Sequence, residues 1–328
     1  MSLHPALLFL LGLIVITVGA EFVLRSASRI AALLGVRPIL IGLTVVSIGT
    51  SLPELAVGMT AVSEGKGALA VGNIAGTNIM NILFILGLSA AIRPLQLHLQ
   101  SIKLDVPVMI GSSLLLVVMV LNGVLSRWEG IVLVLASIVY LLVLVRTSMR
   151  ESAAVKKEFA EEFSEEVLVE KGTNKGLIWV SNALLLILGM AMTIGGADWL
   201  VTGASAIARS FGVSDAIIGL TIVAIGTSAP ELVTTIVATI KDDRDVAVGN
   251  LIGSSIVNVL VILGLTCVFS NGIAISNEMI GIDIPLAALV AIVCYPVFRS
   301  GRKVSRAEGI FFVLCYLIYL SYLLFFRV

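Results

Sequence analysis

The stretch GLTVVSIGTSLPEL at residues 42–55 reappears as GLTIVAIGTSAPEL at residues 219–232. A second stretch, GNIAGTNIMN at residues 72–81, reappears as GNLIGSSIVN at residues 249–258. Both pairs are separated by 177 residues, and this offset holds without a gap over the surrounding sequence. The chain is therefore an internal duplication, with one copy of each stretch in each half.

The composition indicates a protein that crosses a membrane several times. Of the 328 residues, 59% are apolar and 13% are charged, whereas soluble domains are about half apolar and a quarter charged. A globular core could not remove so much apolar surface from water. The 21 Lys and Arg residues balance the 21 Asp and Glu residues, so the charge does not indicate a nucleic-acid partner.

Apolar stretches long enough to span a bilayer recur ten times. A spanning helix needs about 20 apolar residues, and the stretches lack the alternation of a membrane β-strand. The sequence therefore predicts an all-α membrane protein with ten transmembrane helices, the first and sixth long enough to be strongly tilted. The predicted spans are 6–33, 38–63, 68–92, 104–121, 126–146, 176–208, 214–240, 246–270, 280–298 and 307–326.

The repeat divides these spans into two sets of five. Because five is odd, the second copy enters the membrane from the opposite side, which makes an inverted-topology repeat. We therefore expect a first five-helix repeat at residues 1–146, a charged linker at 147–175 and a second, inverted repeat at 176–328. Such repeats are typical of secondary transporters, whose substrate site lies at the bilayer midplane between the halves.

The basic residues predict the orientation of the chain in the cell membrane. With the N-terminus outside, 17 of the 21 Lys and Arg residues fall on the inner side and 4 on the outer side, as the positive-inside rule requires. The segment from Arg146 to Lys175 holds seven glutamates and six basic residues, so we expect a cytoplasmic linker. Both termini are expected outside.

Each copy of the first stretch contains a proline that interrupts a spanning helix. Pro53 and Pro230 lack an N–H group, and each ring clashes with the carbonyl four residues earlier. We expect carbonyls at Ser47–Thr50 and at 224–227 to be released from the helical ladder, which is tolerated at membrane depth only in a cavity or inside protein. Four hydroxyls lie beside these carbonyls, those of Thr50, Ser51, Thr227 and Ser228.

A glutamate follows each proline in the middle of its span, at Glu54 and Glu231. A charged carboxylate in hydrocarbon is costly and indicates a functional site. No Lys or Arg lies mid-span in these segments, whereas a hard cation would balance both charges. Carboxylate, hydroxyl, carbonyl and amide oxygens suit Ca²⁺ and Na⁺ and do not suit Zn²⁺ or copper. The alternative is that both glutamates are protonated, hydrogen-bonded structural groups.

The second stretch supplies further oxygens. Thr77 and Asn81 lie at i, i+4 on one helix face, as do Ser254 and Asn258. These faces can complete a ligand shell around a cation.

Four other polar residues are assigned structural roles. Asn73 and Asn250 adjoin glycines, and we expect them to brace helix breaks rather than to bind ions. Glu21 and Arg25 are spaced i, i+4, and we expect an ion pair.

At the two repeated stretches the chain resembles the cation/Ca²⁺ exchanger superfamily, specifically the sodium/calcium exchangers. The GTSxPE element at 49–54 and 226–231 is highly specific, and with the GNxxG stretches the resemblance covers the whole chain except the linker. The resemblance implies ten helices in two inverted repeats and exchange of inward Na⁺ for outward Ca²⁺. The two ions are transported substrates, and no cofactor is implied.

The resemblance also implies a ligand set. Glu54 and Glu231 would bind Ca²⁺ with the carbonyls of Thr50 and Thr227. One sodium pocket would use the Ser47 carbonyl, Thr50, Ser51, Glu54 and Thr77, and its mirror would use the Ala224 carbonyl, Thr227, Ser228, Glu231 and Ser254. Asn81 and Asn258 would flank a middle position.

Asn258 departs from the family pattern, because many sodium/calcium exchangers carry Asp there. Proton-coupled calcium exchangers can carry Asn at this position but lack the doubled GTSxPE element. H⁺/Ca²⁺ exchange and K⁺-dependent Na⁺/Ca²⁺ exchange therefore stay open as alternatives. A channel is disfavoured, and so is an enzyme, since no His, Cys or Lys nucleophile accompanies the two glutamates. We expect a functional monomer whose partners are Ca²⁺, Na⁺ and the lipid bilayer.

Overall fold

The computed structural model describes residues 4–34, 36, 38–97, 101–149, 175–212 and 224–326. Within these residues, nine helices are long and apolar enough to cross a membrane. They are α1 (Pro5–Leu34), α2 (Pro38–Ser63), α3 (Gly67–Ile92), α4 (Ser101–Asn122), α5 (Arg127–Met149), α6 (Lys175–Ser210), α8 (Arg244–Phe269), α9 (Met279–Arg299) and α10 (Arg306–Phe326).

The predicted span at 214–240 begins outside the described residues. Its described part, α7, comprises Ala224–Thr227 and Ala229–Ile240. The predicted linker at 147–175 also lies almost entirely outside the described residues. The other nine spans are found within a few residues of their predicted bounds.

Two helices with the second repeated stretch form the centre of the bundle. In the most apolar segments of α3 and α8, 78% and 83% of the residues are buried, against 17% in α10. The small side chains of these helices permit close contact. A Cβ atom at Gly253 of α8 would lie only 2.8 Å from the Leu43 Cα atom of α2.

The helices α1 and α6 are the longest, with 30 and 36 residues, and they pack antiparallel along each other. Glycines on both helices allow this contact. A Cβ atom at Gly12 would lie 2.8 Å from the Gly196 carbonyl oxygen, and one at Gly19 would lie 2.8 Å from the Gly189 carbonyl oxygen. Gly189 and Gly196 are the repeat counterparts of Gly12 and Gly19, so the helix pair is itself built on the duplication.

Four two-residue strands in the loops add to the predicted all-helical fold. The strands β1 (Leu95–Gln96) and β4 (Lys303–Val304) pair antiparallel, as do β2 (Val124–Leu125) and β3 (Ile273–Ala274). Each pair joins a loop of the first half to a loop of the second. Successive crossing of ten spans places both loops of a pair on the same side of the membrane, so the pairings agree with an inverted repeat.

Ion pairs join α1 to the loop that follows α7. Glu21 pairs with Arg25 at 2.5 Å, which confirms the predicted contact, and also with Lys241. In the same loop, Asp242 pairs with Arg93 at 2.8 Å. Asp198, the repeat counterpart of Glu21, is exposed and forms no ion pair within the described residues.

Asp243 caps the start of α8 in the same loop. Its carboxylate accepts hydrogen bonds from the Val246 backbone N–H at 3.3 Å and from the Ser28 hydroxyl at 2.8 Å. Burial raises the pKa of Asp243 above its ordinary value, and the two hydrogen bonds act in the opposite direction. The loop is therefore fixed to α1 by charge and by a half-buried cap.

Candidate ion-binding site

The two prolines break their helices at equivalent serines. Ser51 has φ −85° and ψ 8°, and Ser228 has φ −88° and ψ 8°. The helix restarts in each copy when the serine carbonyl accepts the backbone N–H of the leucine four residues later. The Leu55 N–H donates to Ser51 at 3.2 Å, and the Leu232 N–H donates to Ser228 at 3.0 Å. The near-identical geometry shows that the repeated sequence dictates the break.

The predicted release of the Ser47 carbonyl is wrong. This oxygen accepts the Ser51 backbone N–H at 3.2 Å and the Thr50 hydroxyl at 3.4 Å, because the helix breaks only at Ser51. Ala224, its counterpart, is the first described residue of α7.

Glu54 and Glu231 converge through the serines of the opposite halves. The Ser228 hydroxyl donates to Glu54 Oε1 at 3.4 Å, and the Ser51 hydroxyl donates to Glu231 Oε1 at 3.2 Å. Both glutamates are 0% exposed. Within the described residues, Oε2 of each glutamate has no hydrogen-bond partner, and neither glutamate forms a salt bridge.

The remaining hydroxyls also meet across the two halves. The Ser228 hydroxyl donates to Thr77 Oγ1 at 3.4 Å, and the hydroxyl oxygens of Thr50 and Ser254 lie 3.5 Å apart. The side chains of these two serines and two threonines are all buried. Thr227, the counterpart of Thr50, is partly buried.

The hydrogen bonds group these residues differently from the expected sodium pockets, although the predicted residues do come together. The expected pockets placed Ser51 with Glu54 and Ser228 with Glu231. The structure instead places each serine on the glutamate of the other half. Because the two breaks face each other about the inverted-repeat axis, a side chain at one break reaches the opposite carboxylate rather than its own.

Amides lie one helical turn from two of the hydroxyls, because Asn81 follows Thr77 and Asn258 follows Ser254 at i+4. Asn258 donates to the Asn78 carbonyl oxygen Oδ1 at 3.1 Å, and Asn78 donates to the Ser255 backbone carbonyl at 3.1 Å. Asn81 and Asn258 are 0% exposed. Both polar atoms of Asn81, and Oδ1 of Asn258, lack a hydrogen-bond partner within the described residues.

These unpartnered buried oxygens belong to a site suited to a cation. A buried polar oxygen without a partner is costly, and a bound hard cation would satisfy several at once. Within the described residues, no group of three or more His, Cys, Asp or Glu side chains could hold a metal ion. The donor set is therefore two carboxylates surrounded by neutral oxygens.

The comparisons with known proteins agree with this geometry. The family model described as "Sodium/calcium exchanger protein" matches residues 4–146 and 181–325, that is, both halves. The chain belongs to the sodium/calcium exchanger family. It is a cation/Ca²⁺ antiporter of the cation/Ca²⁺ exchanger superfamily and a multi-pass membrane transporter rather than an enzyme.

Several relatives match the exchanger along nearly its whole length. It is 35% identical to the "Putative antiporter CaxA" of Alkalimonas amylolytica, over 96% of this chain and 97% of the relative. It is 30% identical to the "Sodium/calcium exchanger MaX1" of Methanosarcina acetivorans, over 96% of this chain and 97% of the relative.

A solved structure of the sodium-calcium exchanger NCX_Mj superposes with a TM-score of 0.82 and 30% identity, covering 97% of this chain and 98% of that one. The ten-helix inverted-repeat fold predicted from the sequence is thereby confirmed.

Three polar residues near the candidate site of the exchanger were missed by sequence reasoning. They are Asn78, Thr235 and Ser255. Asn78 and Ser255 occupy equivalent positions of the second repeated stretch, which was a usable signal. Thr235 follows Glu231 at i+4, which places it on the same helix face. Asn250 braces neighbouring side chains, as predicted, by accepting from Thr50 and donating to Thr235.

Proposed function

We propose that this chain exchanges Na⁺ for Ca²⁺ across the cell membrane, with Glu54 and Glu231 as the carboxylates that both ions share. The observation that carries the proposal is the pair of fully buried glutamates, each with one oxygen unpartnered within the described residues. Two negative charges in a membrane interior require compensation. One Ca²⁺ ion supplies two positive charges.

The neutral oxygens around the glutamates favour Na⁺ over H⁺ as the counter-ion. The Ser228 hydroxyl contacts both Glu54 and Thr77, and the Ser51 hydroxyl contacts Glu231. A sodium ion needs several oxygen ligands, whereas a proton carried on a carboxylate needs only that carboxylate. A full-length relative named as a sodium/calcium exchanger supports the same choice.

The proposed ligand set keeps the residues predicted from the sequence apart from Ser47, whose carbonyl is hydrogen-bonded, and takes the crosswise contacts as its framework. We assign Ca²⁺ to both glutamates and to the carbonyls of Thr50 and Thr227. We assign Na⁺ to the hydroxyls around each glutamate and to the Ala224 carbonyl. The proposed ligands are Glu54, Glu231, Thr50, Ser51, Thr77, Asn81, Ala224, Thr227, Ser228, Ser254 and Asn258.

Transport follows from competition at this shared site. Because Na⁺ and Ca²⁺ would use the same carboxylates, they exclude each other, and exchange is obligatory. With both glutamates ionised, one Ca²⁺ neutralises the site, whereas three Na⁺ leave one excess positive charge. The long helices α1 and α6, which pack mainly on each other, then slide together to open the site to alternate sides.

The proposed arrangement in the membrane follows the charge distribution. Both termini lie outside and the segment 147–175 lies in the cytoplasm, because this orientation places 17 basic residues on the inner side and 4 on the outer side. Each five-helix repeat contributes half of the site, so one chain forms a complete site as a monomer. Reporter fusions at residue 160 and at the C-terminus test the assignment, since the two reporters should respond from opposite sides.

Flux measurements test the proposed function. Purified protein in Na⁺-loaded proteoliposomes should take up ⁴⁵Ca²⁺ when external Na⁺ is replaced by choline. Glu54→Gln and Glu231→Gln should each abolish this uptake. Glu64→Gln is the matched control, because Glu64 lies in an exposed loop and pairs with Lys66 at 2.9 Å.

Three results would contradict the proposal. Retained uptake in either buried variant would remove the site assignment. Uptake driven by a pH gradient without Na⁺ would establish the H⁺/Ca²⁺ alternative. A requirement for K⁺ in addition to Na⁺ would establish the K⁺-dependent alternative.

A further inference from the structure

A hydroxyl that binds a cation must direct its hydrogen to another acceptor, because its lone pair faces the ion. Thr50 has such an acceptor in the opposite half. Of the two acceptors within reach of its hydroxyl, Asn250 Oδ1 at 3.2 Å is closer than the Ser47 carbonyl at 3.4 Å, and Thr50 is 1% exposed. Its oxygen lies 3.5 Å from the Ser254 hydroxyl, near the Glu231 side of the site. Asn250 can therefore set the orientation of the Thr50 hydroxyl.

Asn250 is in turn held by Thr235. The Asn250 amide nitrogen donates to Thr235 Oγ1 at 3.2 Å, and both residues are 0% exposed. In this arrangement the amide oxygen faces Thr50 and the amide nitrogen faces Thr235, so Thr235 holds the amide in place beside Thr50.

The first half cannot form the second of these hydrogen bonds. The repeat counterpart of Asn250 is Asn73, and the counterpart of Thr235 is Gly58. Gly58 has no hydroxyl to offer, and a Cβ atom there would lie 2.9 Å from Thr266 Oγ1. Within the described residues, the buried Asn73 amide nitrogen has no partner.

We infer that Asn250 and Thr235 are positioning residues that orient the Thr50 hydroxyl for Na⁺ and make the two mirrored sodium pockets unequal. This inference rests on the proposed Na⁺/Ca²⁺ exchange. The pocket near Glu231 has a hydroxyl ligand fixed in advance. Since Ca²⁺ is assigned to the glutamates and to backbone carbonyls, its binding does not depend on the direction of this hydroxyl.

A pair of adjacent threonines provides the test. Thr235→Val removes the acceptor for Asn250 and keeps the side-chain shape. Thr234→Val is the matched control, because Thr234 is also 0% exposed and its hydroxyl has no partner within the described residues. Thr235→Ser restores a hydroxyl. For each variant in proteoliposomes, the concentrations of Na⁺ and of Ca²⁺ that give half-maximal exchange are measured.

We expect Thr235→Val to raise the half-saturating Na⁺ concentration about fivefold, the effect of losing one hydrogen bond. Its half-saturating Ca²⁺ concentration should change less than about twofold by the same reasoning. Thr234→Val and Thr235→Ser should resemble the unmodified protein.

Equal effects of the two valine variants, or equal shifts for Na⁺ and Ca²⁺, would show a general packing effect and overturn the positioning role. An unchanged half-saturating Na⁺ concentration in Thr235→Val would also overturn the positioning role. If the unmodified protein shows no Na⁺-dependent flux, the proposed function fails and the inference fails with it. If that flux is present and only the threonine comparison fails, the proposed function stands.

Discussion

The close contact of α1 with α6 can be tested with two neighbouring glycines. A Cβ atom at Gly196 would lie 2.6 Å from the Ile16 backbone nitrogen and 3.0 Å from the Gly12 carbonyl oxygen. At Gly195, no described atom lies within 4 Å of a Cβ. Ordinary contact begins at 3.4 Å, so Gly196→Ala must separate the helices by roughly 0.8 Å locally, against backbone atoms that cannot turn aside.

The two alanine variants allow the packing cost to be isolated. Both gain about 1 kcal/mol of helix propensity, which cancels in the comparison. Overpacking costs about 1–3 kcal/mol, and only Gly196→Ala incurs it. At about 2–4 °C per kcal/mol, the melting temperature of Gly196→Ala should lie roughly 2–12 °C below that of Gly195→Ala.

Thermal unfolding of both variants in detergent is detected by size-exclusion chromatography. The rate of ⁴⁵Ca²⁺ exchange is measured for the same variants in proteoliposomes. If α1 and α6 move as one unit, Gly196→Ala should also slow exchange, whereas Gly195→Ala should not. Equal melting temperatures would refute the packing argument. A destabilised Gly196→Ala variant with unchanged exchange would refute the coupled movement.

Two further predictions concern charges. Lys241→Gln removes the ion pair between Glu21 of α1 and Lys241 of the loop after α7, whose side chains are 20% and 45% exposed. Such a pair is worth about 0.2–1 kcal/mol, so we expect the exchange rate to change by about 1.4- to fivefold. The change should disappear when choline chloride screens the charges. An ionised Asp in Asn258→Asp gives the empty site three negative charges instead of two. The site loaded with three Na⁺ then becomes neutral, and the site loaded with Ca²⁺ carries one negative charge. Voltage dependence of about 2.3 kcal/mol per charge per 100 mV should therefore move from Na⁺/Na⁺ self-exchange to Ca²⁺/Ca²⁺ self-exchange. Voltage dependence that stays on Na⁺/Na⁺ self-exchange in Asn258→Asp would contradict the charge count.

The sequence was sufficient to predict the features that depend on local covalent chemistry. Pro53 and Pro230 each lack the N–H that would continue the helical ladder, and the breaks occur two residues earlier in each copy. The burial of Glu54 and Glu231 followed from their position in the middle of apolar spans. The inverted repeat followed from the offset of 177 residues and the odd number of spans.

The sequence was not sufficient to predict contacts between the halves. Ser51 lies three residues from Glu54 along the chain, and proximity in sequence suggested one shared pocket. The contact with Glu231 depends on how α2 and α7 face each other, which neither helix encodes alone. The same holds for Thr235, whose partner Asn250 lies on the next helix and whose counterpart in the first half is a glycine.

The crosswise contacts give a physical reason for strict exchange. The serine that touches each glutamate stands at the helix break of the other half, so a change at either glutamate alters the hydrogen bonding of a side chain at the opposite break. Under the proposed function, an ion that draws Glu54 toward it also frees or moves the Ser228 hydroxyl, three residues from Glu231. The two carboxylates should therefore respond to ions as one unit. A site of two independent carboxylates could be half filled and could leak, whereas a coupled pair favours the fully Na⁺-occupied and the Ca²⁺-occupied states over mixtures.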